Sequence, residues 1–482
     1  MAQEYYPLLF NEEGYPVKPG YGQAILETLV KANPPVTDVW VLAHGWNNDL
    51  NEGQQTYHDW INTFRPVIEK ETAGTGYNPL FVGLHWPSKA WAGDIAKASL
   101  KLQPAKKPAG PVTGGGEGEF EIGEALSQSA AEDRKGQARF VEDYRHVMDP
   151  ESIHGERFDH DFSRLYHLMK QEKPPTRAEI EEFVKILKLY TTRDPHSDPT
   201  EKGNVLSAPV SLLTRQLEAQ AQALPGQSQN LEGFFKLDTL LEFFRTFTFW
   251  KMKGRAAIVG ETGVYPFLLS LRDTINQNNL ATRIHLLGHS FGAKLVTASI
   301  YPAAGAGNVA LPLVNTVILL QGAFSQFAFS SMIPVESHAA GRYAAIVERG
   351  VITNPVVVIY SKYDTANTIC YPAGMALAAP ISSKIYEKGG PADDESLESY
   401  QISTNKFGAI GANGAQGLPE ARNRTLDMQS EDQPYQWSNL AGVYCLNVDG
   451  QHYIKAGSPP AGAHSDILHP EIYHLALAMS LR

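Results

Sequence analysis

The stretch that most constrains this chain is Arg283-Ile284-His285-Leu286-Leu287-Gly288-His289-Ser290-Phe291-Gly292-Ala293-Lys294-Leu295-Val296. An apolar run of strand length meets a Gly-His-Ser-Phe-Gly turn, and an apolar-periodic helix follows at once. The pattern predicts a buried parallel strand that reverses sharply into a helix with Ser290 at the apex. Gly288 and Gly292 flank the serine because a side chain at either place would collide with the neighbouring strand or helix. Such a turn lifts the hydroxyl clear of the sheet. It also leaves a helix N-terminus beneath it, where free N–H groups and the positive dipole end favour developing negative charge.

The rest of the chain reads as strands and helices in alternation, interrupted once. After a lead-in over 1–35, with one helix near Gln23–Lys31, the run Val36–Ala43 has strand length and ends in His44-Gly45-Trp46. A helix over Thr56–Glu71 and a second apolar strand, Leu80–Pro87, follow; strand, helix, strand with short links is the grammar of a parallel α/β sheet. From about Trp91 that grammar breaks. Pro104–Gly118 is rich in Pro, Gly and Lys and reads as a flexible linker. Thr176-Arg177-Ala178-Glu179 reads as a capping box opening a helix with Ile180, Phe183, Leu187 and Tyr190 on one face. Another helix is expected over Val210–Ala223. An aromatic-dense stretch (Phe234, Phe235, Phe243, Phe244, Phe247, Phe249, Trp250) ends the interruption. Residues 92–250 are therefore expected to form a largely helical cap inserted into a main domain of 1–91 and 251–482. The α/β pattern resumes with a helix around Val264–Ile275, Pro266 falling in its first turn. Further strands are expected at Thr316–Gly322, Val356–Ser361 and Val443–Val448, with a helical region near Arg342–Arg349 and a last helix over Pro470–Leu481.

Gly288-His289-Ser290-Phe291-Gly292, set between strand and helix, resembles the nucleophile elbow of the α/β-hydrolase superfamily. The resemblance covers roughly residues 36–88 and 255–482 and implies an α/β-hydrolase fold, a mostly parallel sheet flanked by helices. An insertion as large as 92–250 before the elbow departs from that pattern. A serine hydroxyl is a weak nucleophile and needs a base, an orienting acid and an electrophilic pocket. In the resembled fold these follow in the order Ser, Asp or Glu, His. Asp364 follows an apolar strand directly and is the expected acid. The preceding strand ends Gln321-Gly322-Ala323-Phe324 without a carboxylate, and Asp449 is the runner-up. For the base the resemblance points to His464, after the last strand and before the last helix, over His452, His469 and His474. His44-Gly45-Trp46 resembles the oxyanion loop after the third strand. The implied hole uses the backbone N–H groups of Trp46 and Phe291, with Gly45 allowing close approach. His44 is expected to be a structural hydrogen-bonding residue.

These residues imply a serine hydrolase acting on a carboxylic ester through an acyl-enzyme, with no metal or organic cofactor. The alternatives are an amidase or peptidase using the same triad, an acyltransferase, and a non-catalytic binding protein on the same fold. The net charge of -11 argues against a general affinity for nucleic acid. The expected partner is a small-molecule or lipid-like ester. No apolar run of bilayer length and no signal peptide are visible, so the expectation is a cytoplasmic protein without a transmembrane segment. Two cysteines, Cys370 and Cys445, give neither a disulfide framework nor a metal spacing. His154, Asp159, His160 and Asp161 are read as a polar loop, Gly260–Gly263 as a turn, and Lys294 as packing or surface.

Overall fold

A computed structural model describes residues 4–46, 48–88, 130–148, 154–170, 175–190, 210–211, 214, 237–334, 339–371, 407–437, 440–457 and 462–482. The expected linker at Pro104–Gly118, residues Phe234 and Phe235, and nearly all of the expected helix at Val210–Ala223 lie outside the described residues.

Among the described residues eight strands form one sheet: β1 (Tyr6–Leu9), β2 (Asp38–Ala43), β3 (Pro79–His85), β4 (Arg283–His289), β5 (Thr316–Leu320), β6 (Val356–Tyr360), β7 (Asn423–Asp427) and β8 (Cys445–Asp449). Their spatial order is β1-β3-β2-β4-β5-β6-β8-β7 and every pairing is parallel. The inner strands are buried along almost their whole length, as expected of parallel strands covered on both faces. The period of two sends Val39, Val41, Ile284, Leu286, Val317 and Val358 into one core. It sends Trp40, Leu42, Leu287, Ile318, Val357 and Val448 into the other.

The helices are α1 (Pro19–Lys31), α2 (Leu50–Glu71), α3 (Ala130–Met148), α4 (Glu156–Lys170), α5 (Arg177–Tyr190), α6 (Leu237–Ile258), α7 (Tyr265–Gln277), α8 (Phe291–Gly305), α9 (Ala344–Glu348), α10 (Ile410–Asn413) and α11 (Pro470–Ser480). On one face α2 and α11 pack together over the Trp40 core. On the other, α8 packs beneath α6, and α6 also touches α4. The described stretches between residues 92 and 250 are helical, and α6 runs without a break from Leu237 across residue 250 to Ile258. No helix among the described residues is long and apolar enough to cross a membrane.

Several elements differ from the expectation, each for a local reason. β1 and β7 are edge strands absent from the sequence reading. β7 is polar and largely exposed, so its place is set by pairing with β8 and not by an apolar pattern. α2 starts at Leu50, because Asp49 accepts the Glu52 N–H (2.9 Å) and Glu52 accepts the Asp49 N–H (2.7 Å), a complete capping box. Gly260–Gly263 is not a turn but part of a π-helical segment, Val259–Val264, joining α6 to α7. A Cβ on Gly260 would stand 2.4 Å from the Leu295 carbonyl oxygen, and one on Gly263 2.2 Å from that of Gly14. Gly260 thus allows close packing on α8, and Gly263 on the turn at Gly14.

The polar loop expected at Asp159–Asp161 is likewise the first half of α4. Its Phe158, Phe162, Leu165 and Tyr166 recur at helical spacing and are buried. Asp161 accepts the Tyr190 hydroxyl at 2.8 Å and Asp159 pairs with Arg145. No cluster of metal-ligating side chains occurs among the described residues.

Candidate functional site

Ser290 sits at φ 56°, ψ −120°, between the last residue of β4 and the first of α8. Few side chains tolerate that left-handed backbone, so the neighbours must enforce it. A Cβ on Gly288 would lie 2.4 Å from the Gly292 carbonyl oxygen, and one on Gly292 2.1 Å from that of Ala43. Both glycines let α8 fold back against its own strand and against β2. The Ser290 N–H donates to the Leu320 carbonyl of β5 (3.0 Å), which pins the apex to the sheet.

Three side chains from distant parts of the chain meet there. His464 Nε2 stands 2.8 Å from Ser290 Oγ, and His464 Nδ1 stands 2.8 Å from Asp364 Oδ2. A carboxylate only accepts, so Nδ1 carries the proton and Nε2 is left to accept from the serine hydroxyl. Asp364 is fully buried and Ser290 nearly so, while the His464 side chain keeps 15% of its surface exposed. Asp364 follows β6, as a residue at the carboxyl end of a parallel strand should. His464 lies in a short turn, Ala463–Ser465, between β8 and α11. The two loops are stitched by backbone: Asp364 bridges Gly462, and the Ala463 N–H donates to the Tyr363 carbonyl at 2.9 Å.

The surroundings of Asp364 contain residues that sequence reasoning missed. Asn367 donates its backbone N–H to Oδ1 (3.0 Å) and its side-chain amide to Oδ2 (2.7 Å). Gln321 donates to Oδ2 at 3.2 Å and to the Ala463 carbonyl at 3.0 Å. Together with His464 these donors satisfy a carboxylate that burial would otherwise penalise heavily. His289, the residue before the nucleophile, donates Nε2–H to the His464 carbonyl at 2.7 Å. Burial and the nearby His464 push its pKa down to about 3, so it is a neutral strut. Asn367 carried a signal, an amide three residues after an acid, which is the spacing of a local cap. His289 and Gln321 carried none.

The loop His44-Gly45-Trp46 lies against the elbow: a Cβ on Gly45 would stand 3.1 Å from both Ser290 Cβ and His289 Nδ1. His44 is buried, and burial lowers its pKa to about 4. His44 Nδ1 donates to the Gly45 carbonyl at 2.9 Å, joined there by the Asn48 amide at 3.3 Å. In a planar trans peptide the Trp46 N–H points opposite to the Gly45 carbonyl, so these two donors turn it away from the His44 ring. The Phe291 N–H belongs to the first turn of α8, where backbone donors lack intrahelical acceptors. Half-buried Phe249, from α6, packs on both residues, with ring centroids 5.9 Å from Trp46 and 4.9 Å from Phe291. Tyr371 meets Phe249 edge-on, with ring centroids 5.8 Å apart. The side chains of Phe243, Phe244 and Phe247 lie outside the description.

The competing residues are engaged elsewhere. His474 faces Glu71 and the Gln433 carbonyl, and His469 faces Asp466. His452 lies in the turn after β8, its ring edge-on to Tyr453. Asp449 accepts the Gln451 N–H at 2.9 Å, as a turn residue does. Lys294 is buried within α8. Cys445 is free and buried, which raises its thiol pKa.

Comparison with family models, with curated proteins and with solved structures found no match to this chain. Fold and geometry thus define an α/β protein with one parallel sheet and a serine, a histidine and an aspartate aligned at its edge.

Proposed function

We propose that this protein is a serine hydrolase of the α/β-hydrolase type that cleaves carboxylic esters. One observation carries the reading: the unbroken line from Ser290 Oγ through His464 to buried Asp364, with both links at 2.8 Å. The left-handed serine between strand and helix, and the chain order Ser, Asp, His, support it further.

In this reading His464 Nε2 takes the hydroxyl proton as Ser290 Oγ attacks the ester carbonyl. Asp364 stabilises the imidazolium without accepting its proton. The N–H groups of Trp46 and Phe291 receive the oxyanion. Collapse of the tetrahedral intermediate breaks the bond to the alcohol, which leaves with the proton returned from His464. Water then repeats the sequence on the acyl-enzyme, freeing the acid and restoring Ser290. Phe249 and Trp46 offer the acyl group an apolar aromatic wall, which favours an ester of low polarity. The helices within 92–250 act as a cap over the sheet, α6 bringing Phe249 to the site.

Labelling with a fluorophosphonate and mapping the adduct tests this directly. The adduct is expected on Ser290, and Ser290→Ala is expected to abolish both labelling and hydrolysis of a short p-nitrophenyl ester while leaving the fold intact. An adduct on any other residue, or unchanged turnover in Ser290→Ala, would remove the nucleophile from the scheme.

A further inference from the structure

Three non-glycine residues among those described have positive φ: Asn279, Ser290 and Gln321. Asn279 follows the end of α7, where asparagine is at home in that conformation. Ser290 is the elbow. Gln321, at φ 44° just past β5, has no such local excuse and is fully buried. Its Oε1 has no protein partner among the described residues. A left-handed backbone and an unanswered buried acceptor both cost stability, and together at one residue they point to a role beyond packing.

We infer that Gln321 is a positioning residue of the candidate triad, its amide tying the acid to the loop that carries the base. This rests on the serine-hydrolase reading and deepens it. Nε2 lies 3.2 Å from Asp364 Oδ2 and 3.0 Å from the Ala463 carbonyl, and an amide nitrogen has one hydrogen for each. The opposite amide orientation would set Oε1 against a carboxylate and a carbonyl, so chemistry fixes the assignment. Asn367 cannot do the same work: it sits three residues along the acid's own loop and holds the carboxylate to its own turn. Gln321 reaches across from β5 to the turn bearing His464. Its backbone is held from both sides. Its N–H donates to the Ile359 carbonyl of β6 (2.9 Å), and its own carbonyl accepts from the Asn367 amide (2.8 Å). Gly411 packs so closely that a Cβ there would stand 2.3 Å from the Gln321 carbonyl carbon. β5 ends where a carboxylate could have served as the acid, and a neutral donor to the actual acid stands there instead.

Removing the donor changes two things. The turn at Ala463 loses its anchor, and misplacing the base by a fraction of an ångström slows attack by Ser290. Asp364 also loses a hydrogen bond to its charged form, which changes how its carboxylate acts on His464. The groups facing His464 are Asp364 from the acid loop, Ser290 from the elbow and His289 from the end of β4. His289 is neutral across the working range, so it adds nothing to the pH dependence.

The experiment measures fluorophosphonate labelling rates between pH 5 and 9, together with thermal unfolding, for the full chain and for Gln321→Leu and Gln321→Gly. Leucine keeps the volume, while glycine relieves the left-handed backbone and guards against a variant that fails to fold. Folded variants are expected to label about ten to a hundred times more slowly, with an altered pH profile. A folded variant with wild-type rate and inflection overturns the role of Gln321, as does a slower rate with no shift in either variant, which marks simple packing. Wild-type protein that does not label at Ser290 removes the hydrolase reading itself, and this inference with it.

Discussion

Gly292→Ala tests how closely the elbow depends on one backbone approach. The added Cβ would stand 2.1 Å from the Ala43 carbonyl oxygen and 2.5 Å from that of His44. Carbon atoms do not approach so closely, and both neighbours are backbone, so neither can swing aside. α8 or the end of β2 must retreat by roughly 1 Å, a displacement that in a positioned site costs about a hundredfold in rate. Overpacking of this kind destabilises by about 1–3 kcal/mol, which leaves most of a large domain's stability in place. Activity is therefore the more sensitive readout. Gly305→Ala, at the far end of the same helix, is the control: no atom lies within 4 Å of its added Cβ, and alanine favours a helix over glycine by up to about 1 kcal/mol. The assay pairs fluorophosphonate labelling rates with urea unfolding for both variants. Gly292→Ala is expected to remain folded and lose labelling; Gly305→Ala is expected to keep both. A folded Gly292→Ala that labels at the wild-type rate would refute the steric account of the elbow.

Three further outcomes are expected. Asp364→Asn reverses the donor logic at His464 Nδ1 and should lower ester turnover by about 10³–10⁴-fold with little effect on KM; a loss below tenfold would point to another acid. Phe249→Ala removes the ring lying on Trp46 and Phe291, and kcat/KM for a p-nitrophenyl hexanoate should fall at least about tenfold while the acetate changes little; equal losses for both esters would refute an acyl wall. His44 and His289 have folded pKa values lowered to about 4 and about 3. Because the unfolded chain binds protons there and the folded chain does not, their contribution is full above about pH 6.5 and is lost as pH falls toward 4 and 3. Each should remove about 1.4 kcal/mol per pH unit in that window. Proton NMR of the imidazole C–H signals should show both rings neutral at pH 5, and a midpoint near 6 for either would contradict their burial.

What could be read from the sequence follows a physical line. The elbow was legible because an apolar run, two glycines and a helical period agree over fourteen consecutive residues. That Ser290, Asp364 and His464 would meet rests on where parallel strands end, and the register of β4, β5, β6 and β8 delivers all three to one edge. Gln321 and His289 were not legible as struts. Their partners lie 142 and 175 residues away, and a buried amide or imidazole leaves no periodic trace. α4 was missed for the opposite reason: its acidic and histidine residues drew the reading toward a loop, although Phe158, Phe162 and Leu165 already had helical spacing. β7 has almost no apolar pattern, so only its neighbour reveals it.

The stitching of the Asp364 loop to Gly462 and Ala463 bears on when a growing chain becomes reactive. A ribosome has threaded the elbow and the acid long before it reaches residue 464, and a nascent polypeptide at that stage holds a serine without its base. Under the proposed chemistry a chain synthesised only as far as residue 463 is silent toward esters, however well its first strands have formed, because the base has yet to be added.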